Sequence, residues 1–178
     1  MRRDRFCNGK MEITPIRYSE RKPVMRWRNQ QMDVLRQSEP LTEEGQDKYF
    51  CDVVSTWFGE EHPEGVLFAI RWDKRLIGYG GLVHIDWKNR NAEVSFLLGN
   101  KNVDQDIYID RFSRFLELTR QVASELALHK IYCVGYDIYQ YRFQAFKQSG
   151  FECEARLRAH TVIDRQAYDV LIHSLRVH

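Results

Sequence analysis

The sequence predicts an α/β (α+β) chain, a mixed, mostly antiparallel twisted sheet of about six to seven strands with helices on both faces. Three observations carry this. Strand-length apolar segments bounded by turn residues recur at 66–72, 75–86, 91–98, 130–136, 151–163 and 166–176. Tyr108, Phe112, Phe115, Thr119, Val122 and Leu126 repeat at steps of three and four, the stripe of a helix lying on a sheet. The resulting order, β-α-α-β-β-β-α-β-α-β-β, combines hairpins with two β-α-β steps, which calls for antiparallel and parallel pairing in one sheet.

Residues 1–10 read as a flexible start, and residues 11–178 as a single domain. Residues 11–17 alternate as a first strand, with Pro15 placing it at an edge. A short helix follows over 20–30, with Pro23 near its first turn. Ser38-Glu39-Pro40 is a break. Thr42 has the chemistry of an N-cap, and Glu43 and Glu44 suit the first turn of a helix that runs to Gly59. Asp73-Lys74 turns one hairpin, residues 87–90 turn the next, and Asp164-Arg165 turns the last. Gly78, Gly80 and Gly81 lie inside a strand, where glycine marks a bulge or a close backbone approach. In the strand 91–98, Val94, Phe96 and Leu98 share one face, and Glu93, Ser95 and Leu97 the other. The long helix spans about 106–129, and a last helix over 139–149 ends at Gly150, a C-cap position.

The bulk properties narrow the function. The 178 residues are 43% apolar and 29% charged, a globular composition, and the net charge of +2 gives no global attraction to nucleic acid. Basic residues do gather between Met1 and Arg36, which reads as a solvated face. The cysteines Cys7, Cys51, Cys133 and Cys153 have no C-x-x-C spacing, and the six histidines show no ligand spacing, so no metal is expected. Cys51 and Cys133 read as small buried hydrophobes. No apolar run reaches the length of a membrane span, and no secretory leader is visible, so a reducing cytoplasmic home is expected.

Four pieces of sequence resemble the GNAT N-acetyltransferases, and within them the branch acting on ribosomal-protein N-termini and amino sugars. They are Trp27-Arg28-Asn29, Leu76-Ile77-Gly78 with Asn91-Ala92-Glu93-Val94, Phe146 to Phe151 (FKQSGF), and Glu154 to Arg158 followed by Tyr168-Asp169-Val170. The resemblance implies acetyl-CoA as donor and a small-molecule or peptide amine as acceptor, with no nucleic-acid or membrane partner. It implies that Phe96, Leu97 and Leu98 pair with the pantetheine arm, and that Val103, Asp104, Gln105, Asp106 and Ile107 occupy the phosphate loop. It makes Glu93 the general base, with Ser95 beside it. Trp27, Arg28, Asn29 and His84 fall on the acceptor side.

The sequence departs from the family pattern in three places. The phosphate loop carries Asp104 and Asp106 in place of glycine, although bare amides and positive φ suit an anion there. Phe146 stands where a tyrosine often protonates the leaving thiolate, which passes that role to a neighbour such as Tyr139, Tyr136 or Tyr141. The usual asparagine of the last helix falls near Tyr139. A different class of function follows from the same departures: a degenerate domain of this fold, with coenzyme A binding lost or altered, serving as a binding or assembly module. The strand-rich C-terminal hairpin would also allow a homodimer through its edge.

Overall fold

The computed structural model describes residues 3–177. Its strands are β1 (Phe6–Asn8), β2 (Met11–Pro15), β3 (Val66–Trp72), β4 (Arg75–Asp86), β5 (Asn91–Leu98), β6 (Lys130–Tyr136), β7 (Glu152–Ile163) and β8 (Gln166–Arg176). They form one sheet in the order β1-β2-β3-β4-β5-β6-β8-β7. Every neighbouring pair is antiparallel except β5 with β6. The helices are α1 (Arg21–Gln30), α2 (Glu43–Tyr49), α3 (Ser55–Trp57), α4 (Gln105–Glu125) and α5 (Tyr141–Gln148), and a π-helical turn at Phe50–Val54 joins α2 to α3. No helix among the described residues is long and apolar enough to cross a membrane.

The expected flexible start needs correction over Phe6–Asn8. These residues pair with β2, Phe6 standing opposite Ile13, and Gly9 turns the chain between them with φ +59°. Phe6 is 1% exposed and meets Phe68 edge to face at 6.3 Å, so burial of an aromatic ring supplies the reason to order. Met1 and Arg2 of that expectation lie outside the described residues, as does His178. Pro15 ends β2 opposite Phe68 and beyond the reach of β1, so its missing N–H faces no partner strand.

The caps read from sequence are in place. Thr42 accepts a hydrogen bond from the Gly45 amide at 3.1 Å. At the end of α5, Gly150 takes φ +78°, and the amides of Phe151 and Gly150 donate to the carbonyls of Phe146 (2.9 Å) and Lys147 (3.2 Å), a Schellman closure. Both tight hairpin turns, Asp73-Lys74 and Asp164-Arg165, have positive φ at each central residue, the twist that two-residue hairpins require.

Two apolar layers cover the sheet. On one face α4 buries Phe112, Phe115, Leu116 and Val122 against Leu82, Val94 and Leu98. On the other, Val24 of α1 and Phe50 and Val54 of the π-turn pack on Leu67, Tyr79 and Leu97. The alternation expected in β5 therefore holds: Val94, Phe96 and Leu98 face α4, while Leu97 faces α1. Cys51 is exposed, contrary to its reading as a buried residue, because the π-turn rotates it to the solvent side; Cys133 is half-buried.

The three β4 glycines permit close packing. A Cβ on Gly81 would overlap the Val66 carbonyl oxygen, and one on Gly80 would overlap the Ser95 carbonyl and meet Phe115 Cζ at 2.8 Å. Both obstacles are backbone or core and cannot swing aside. Gly81→Ala is expected to destabilise the fold by about 1–3 kcal/mol, a drop of several degrees in Tm read by thermal unfolding. An unchanged Tm would mean that β3 and β4 separate more easily than this packing implies.

Candidate active site

The site begins where β5 and β6 part. They pair only through Asn91 with Lys130, Ala92 with Ile131 and Glu93 with Tyr132. Beyond that, β5 stays with β4 as far as Leu98, and β6 stays with β8 as far as Tyr136. The result is a wedge open along one side of β5. The Gly99 amide donates to the Ile77 carbonyl at 2.8 Å, and the carbonyls of Ser95 and Leu97 approach Gly80 and Gly78 of β4. Because antiparallel strands alternate the direction of their hydrogen-bonding groups, those of Val94, Phe96 and Leu98 point away from β4. The Glu93–Tyr132 pairing with β6 uses the Val94 amide, so the Val94 carbonyl, both groups of Phe96 and the Leu98 amide are left to the wedge. The Leu98 carbonyl accepts from Gln31 Nε2 at 2.7 Å, which ties the end of α1 to the end of β5.

A cavity of about 670 Å³ joins this wedge to the space between the sheet and α1–α2. Glu93 lines it and is 9% exposed. Its Oε1 accepts from Arg36 Nη2, and its Oε2 lies 4.0 Å from His84 Nε2, too far for a direct hydrogen bond. His84 reaches that place through a bulge: the β4–β5 register shifts by one residue between Val83 and Asp86, and His84 takes φ +51°. Ser95 and Phe96 also line the cavity, Ser95 from the α1 face and Phe96 from the α4 face. The Phe96 ring stacks on Phe112 at 4.5 Å and meets Phe115 tilted at 4.9 Å.

The acceptor-side expectations divide. Arg28 lines the cavity, donating from Nε to Gln37 Oε1 at 3.0 Å and from Nη1 to the Tyr79 hydroxyl at 2.9 Å. Trp27 instead packs over Gly99, whose missing side chain makes room for the indole. Asn29 braces the loop before α2: its amide donates to the Leu41 carbonyl at 2.9 Å, and its Oδ1 accepts from the Leu41 amide at 2.8 Å and from Gln37 Nε2 at 3.0 Å. Neither Trp27 nor Asn29 is among the residues lining the cavity.

At the other end, the N-terminus of α4 is capped from within. Asp104 Oδ1 accepts from the amides of Asp106 at 2.9 Å and Ile107 at 3.4 Å. Two of the orphan donors that an anion would use already have a carboxylate. Asp104, Gln105 and Asp106 are exposed, Ile107 is 45% exposed, and Val103 packs on the core.

The aromatic expectations shift by a few residues. Tyr139 is 37% exposed, stands beside the Arg142 guanidinium and is not among the cavity-lining residues, whereas Tyr136 and Tyr108 are. Burial pushes the Tyr108 phenol well above its ordinary value, with Arg142 5.3 Å from its ring opposing in part. Burial, reinforced by the charge of Glu93, pushes the Cys133 thiol up to about 12, which keeps it protonated and unreactive. Phe146 lines the cavity and stacks on His173 at 4.7 Å, and burial lowers the affinity of His173 for a proton.

Reasoning from sequence missed Arg36, Tyr108 and Arg142. Arg36 sits 57 residues from its partner Glu93, so no local pattern links them. Arg142 carried a signal, a lone cation among Tyr139, Tyr141 and Phe143, and its buried Nε has no hydrogen-bond partner among the described residues. No group of three or more potential metal-ligating side chains occurs among the described residues.

The fold and the parted strands define a family. The sequence profile of the acetyltransferase (GNAT) domain matches residues 15–172, so the chain belongs to the GNAT acetyltransferases. Among solved structures, it is similar to spermidine N-acetyltransferase from Vibrio cholerae in complex with CoA and spermine. That match has a TM-score of 0.77 and 17% identity, and covers 95% of this chain and 96% of the other. A dodecameric structure of spermidine N-acetyltransferase from Vibrio cholerae in an intermediate state matches with a TM-score of 0.74 and 17% identity, over 96% and 95% of the two chains. At these identities the likeness is one of fold. No curated protein matches by sequence.

The Asp104 cap can be tested apart from its charge. Asparagine caps a helix as well as aspartate. Asp104→Asn is therefore expected to keep the Tm within a degree or two and to tighten CoA binding by about three- to tenfold, read by calorimetric titration at low and high salt. An unchanged affinity at both salts would place the diphosphate elsewhere.

Proposed function

We propose that this chain transfers an acetyl group from acetyl-CoA to a primary amine. The observation that carries this reading is the parting of β5 from β6, which leaves the Val94 carbonyl, both backbone groups of Phe96 and the Leu98 amide turned into the gap, beside a carboxylate. An extended arm laid in the wedge can pair with β5 as an added strand would. Phe96, Leu97 and Leu98 would hold the pantetheine portion, Leu97 through its place in the strand more than through its inward-facing side chain. The N-terminus of α4, from Val103 to Ile107, lies at the far end, where the diphosphate would come. There the residues fit the usual arrangement only in part. The Asp104 carboxylate occupies two of the amides, so any grip on the phosphates falls more on cations such as Arg142.

When bound, acetyl-CoA supplies an activated acyl carbon. The chain supplies the rest. Glu93, through Oε2 directly or through water with His84 beside it, accepts the proton of the acceptor ammonium. The amine nitrogen then bonds to the acyl carbon and gives its second proton to water, the carbon–sulfur bond breaks, and the sulfur takes a proton from solvent or from Tyr136, which solvent reprotonates. The products are an N-acetyl amide and the free thiol. The wedge-facing amides are positioned to stabilise the carbonyl oxygen as charge develops on it. Ser95 can orient the acceptor.

An amino sugar, a protein N-terminus and a small amine all belong to this reading. The Vibrio cholerae relative, whose structure contains spermine, adds polyamines to that range. Four free cysteines suit a reducing, cytoplasmic setting. Assembly into a homodimer or larger oligomer fits the exposed β7 edge, where Val162 is 68% exposed. A second reading, a binding module of the same fold with altered CoA affinity, is favoured by the Asp104 cap and by Phe146, which lines the cavity with no proton to give.

Glu93→Gln keeps the size and much of the hydrogen bonding of the side chain but cannot take a proton. It is expected to lower kcat for amine acetylation by about 100-fold or more, with acetyl-CoA affinity changed less than about threefold. Thiol release and calorimetric titration give the two values. Full activity in this variant would remove Glu93 from the chemistry. No thiol release from the native protein with any amine, together with no acetyl-CoA binding, would favour the module.

A further inference from the structure

The charges around the acceptor half of the cavity bear on what enters it. The charged residues lining the cavity are Arg28, Arg36 and Arg142 against Glu64 and Glu93, with His84 beside Glu93. Arg36 is paired with Glu93, and Glu64 is exposed. Arg28 has no carboxylate partner among the described residues. It is half-buried and held by two neutral groups, Gln37 Oε1 and the Tyr79 hydroxyl, which use Nε and Nη1 and leave Nη2 without a protein partner among those residues. A guanidinium fixed in a cavity without a countercharge is costly unless something anionic completes it. The surrounding surface is apolar, from Leu35, Leu41, Phe50 and Leu67.

We infer that the acceptor is an amine that also bears a carboxylate and an apolar body, of which α-amino acids with apolar side chains are the simplest. Arg28 takes the carboxylate, the apolar wall takes the side chain, and the amine lies toward Glu93. This rests on the acetyl-transfer reading and narrows it. A polyamine needs several carboxylates along its length. Here the one buried carboxylate is already paired with Arg36, and two further guanidinium groups would repel a polycation. Planar, held on both sides and always charged, Arg28 has the features of a bidentate carboxylate receptor. The bonds formed and broken are those of the acetyl transfer described above, and the carboxylate is not consumed.

The test compares leucine and phenylalanine with leucinamide, phenylalaninamide and spermidine on the native protein. Rates come from thiol release with acetyl-CoA, and affinities from calorimetric titration of each amine into the CoA-saturated and the CoA-free protein. The expected result is that each acid exceeds its amide in kcat/KM and in affinity by about tenfold or more, the effect of one charge-assisted hydrogen-bonded pair, and that it exceeds spermidine. Arg28→Met is expected to bring the acid-to-amide ratio near one without changing acetyl-CoA affinity more than about twofold, and Arg28→Lys to restore part of it. Should Arg28→Met fail to fold, the acid-to-amide ratio of the native protein decides the matter alone. A ratio near one, preference for spermidine, or no binding of the acids overturns the inference. Spermidine turnover without amino-acid turnover overturns it while leaving acetyl transfer intact. Amino-acid binding lost in Arg28→Met, with no acetyl-CoA binding at all, supports the Arg28 site and overturns the transfer reading instead.

Discussion

The structure depends on one interruption of strand pairing. β5 and β6 are the sole parallel neighbours in the sheet, and they share three residue pairs before each turns to its other partner. A row of unpaired amides and carbonyls is costly inside a protein, and most folds cover it. Here the cost falls on the Val94 carbonyl, both backbone groups of Phe96 and the Leu98 amide, and the opening leads into a cavity of about 670 Å³. What surrounds the opening keeps it from closing. Glycines in β4 bind β5 tightly to that side, the aromatic cluster of Phe96, Phe112 and Phe146 fills the α4 side, and β8 holds β6 along its whole length. The wedge is the place where the backbone itself becomes a recognition surface.

The chemistry is arranged across the plane of β5. Its α4 face is apolar, and its α1 face carries Glu93 and Ser95. Its in-plane edge offers amides. In the proposed reaction one strand would supply a proton acceptor, a polar orienting group and oxyanion donors within a few residues, each placed by the alternation of the strand. The bulge at His84 brings an imidazole from β4 to the same place. Arg36, from the segment between α1 and α2, fixes one oxygen of Glu93 and leaves the other toward the cavity.

Much of this was written in local sequence. The turn chemistry of Asp73-Lys74 and Asp164-Arg165, the Thr42 cap, the Gly150 closure and the face alternation of β5 all follow from short-range rules, and the structure has them. β1 was not evident: three residues are too few for periodicity, and the order of Phe6 comes from a contact with Phe68 far along the chain. The site was legible to the same degree. Glu93, Ser95 and Phe96 line the cavity because strand position carries them there, while Arg28 comes from α1 and His84 from a bulge in β4. Trp27 and Asn29 do not line it, since one packs on Gly99 and the other braces a loop, choices set by tertiary neighbours. Tyr139 stands beside Arg142 and outside the cavity lining, and Arg36 was invisible because its meaning comes from a partner far along the chain.

The central claim is that the free edge of β5 receives the pantetheine arm of acetyl-CoA. Amide hydrogen exchange with and without CoA tests it most directly. The account predicts that CoA slows exchange at the amides of Phe96 and Leu98, while Val94, already bonded to β6, and Ser95 and Leu97, already bonded to β4, change little. CoA bound at saturating concentration with no added protection at those two amides would contradict it.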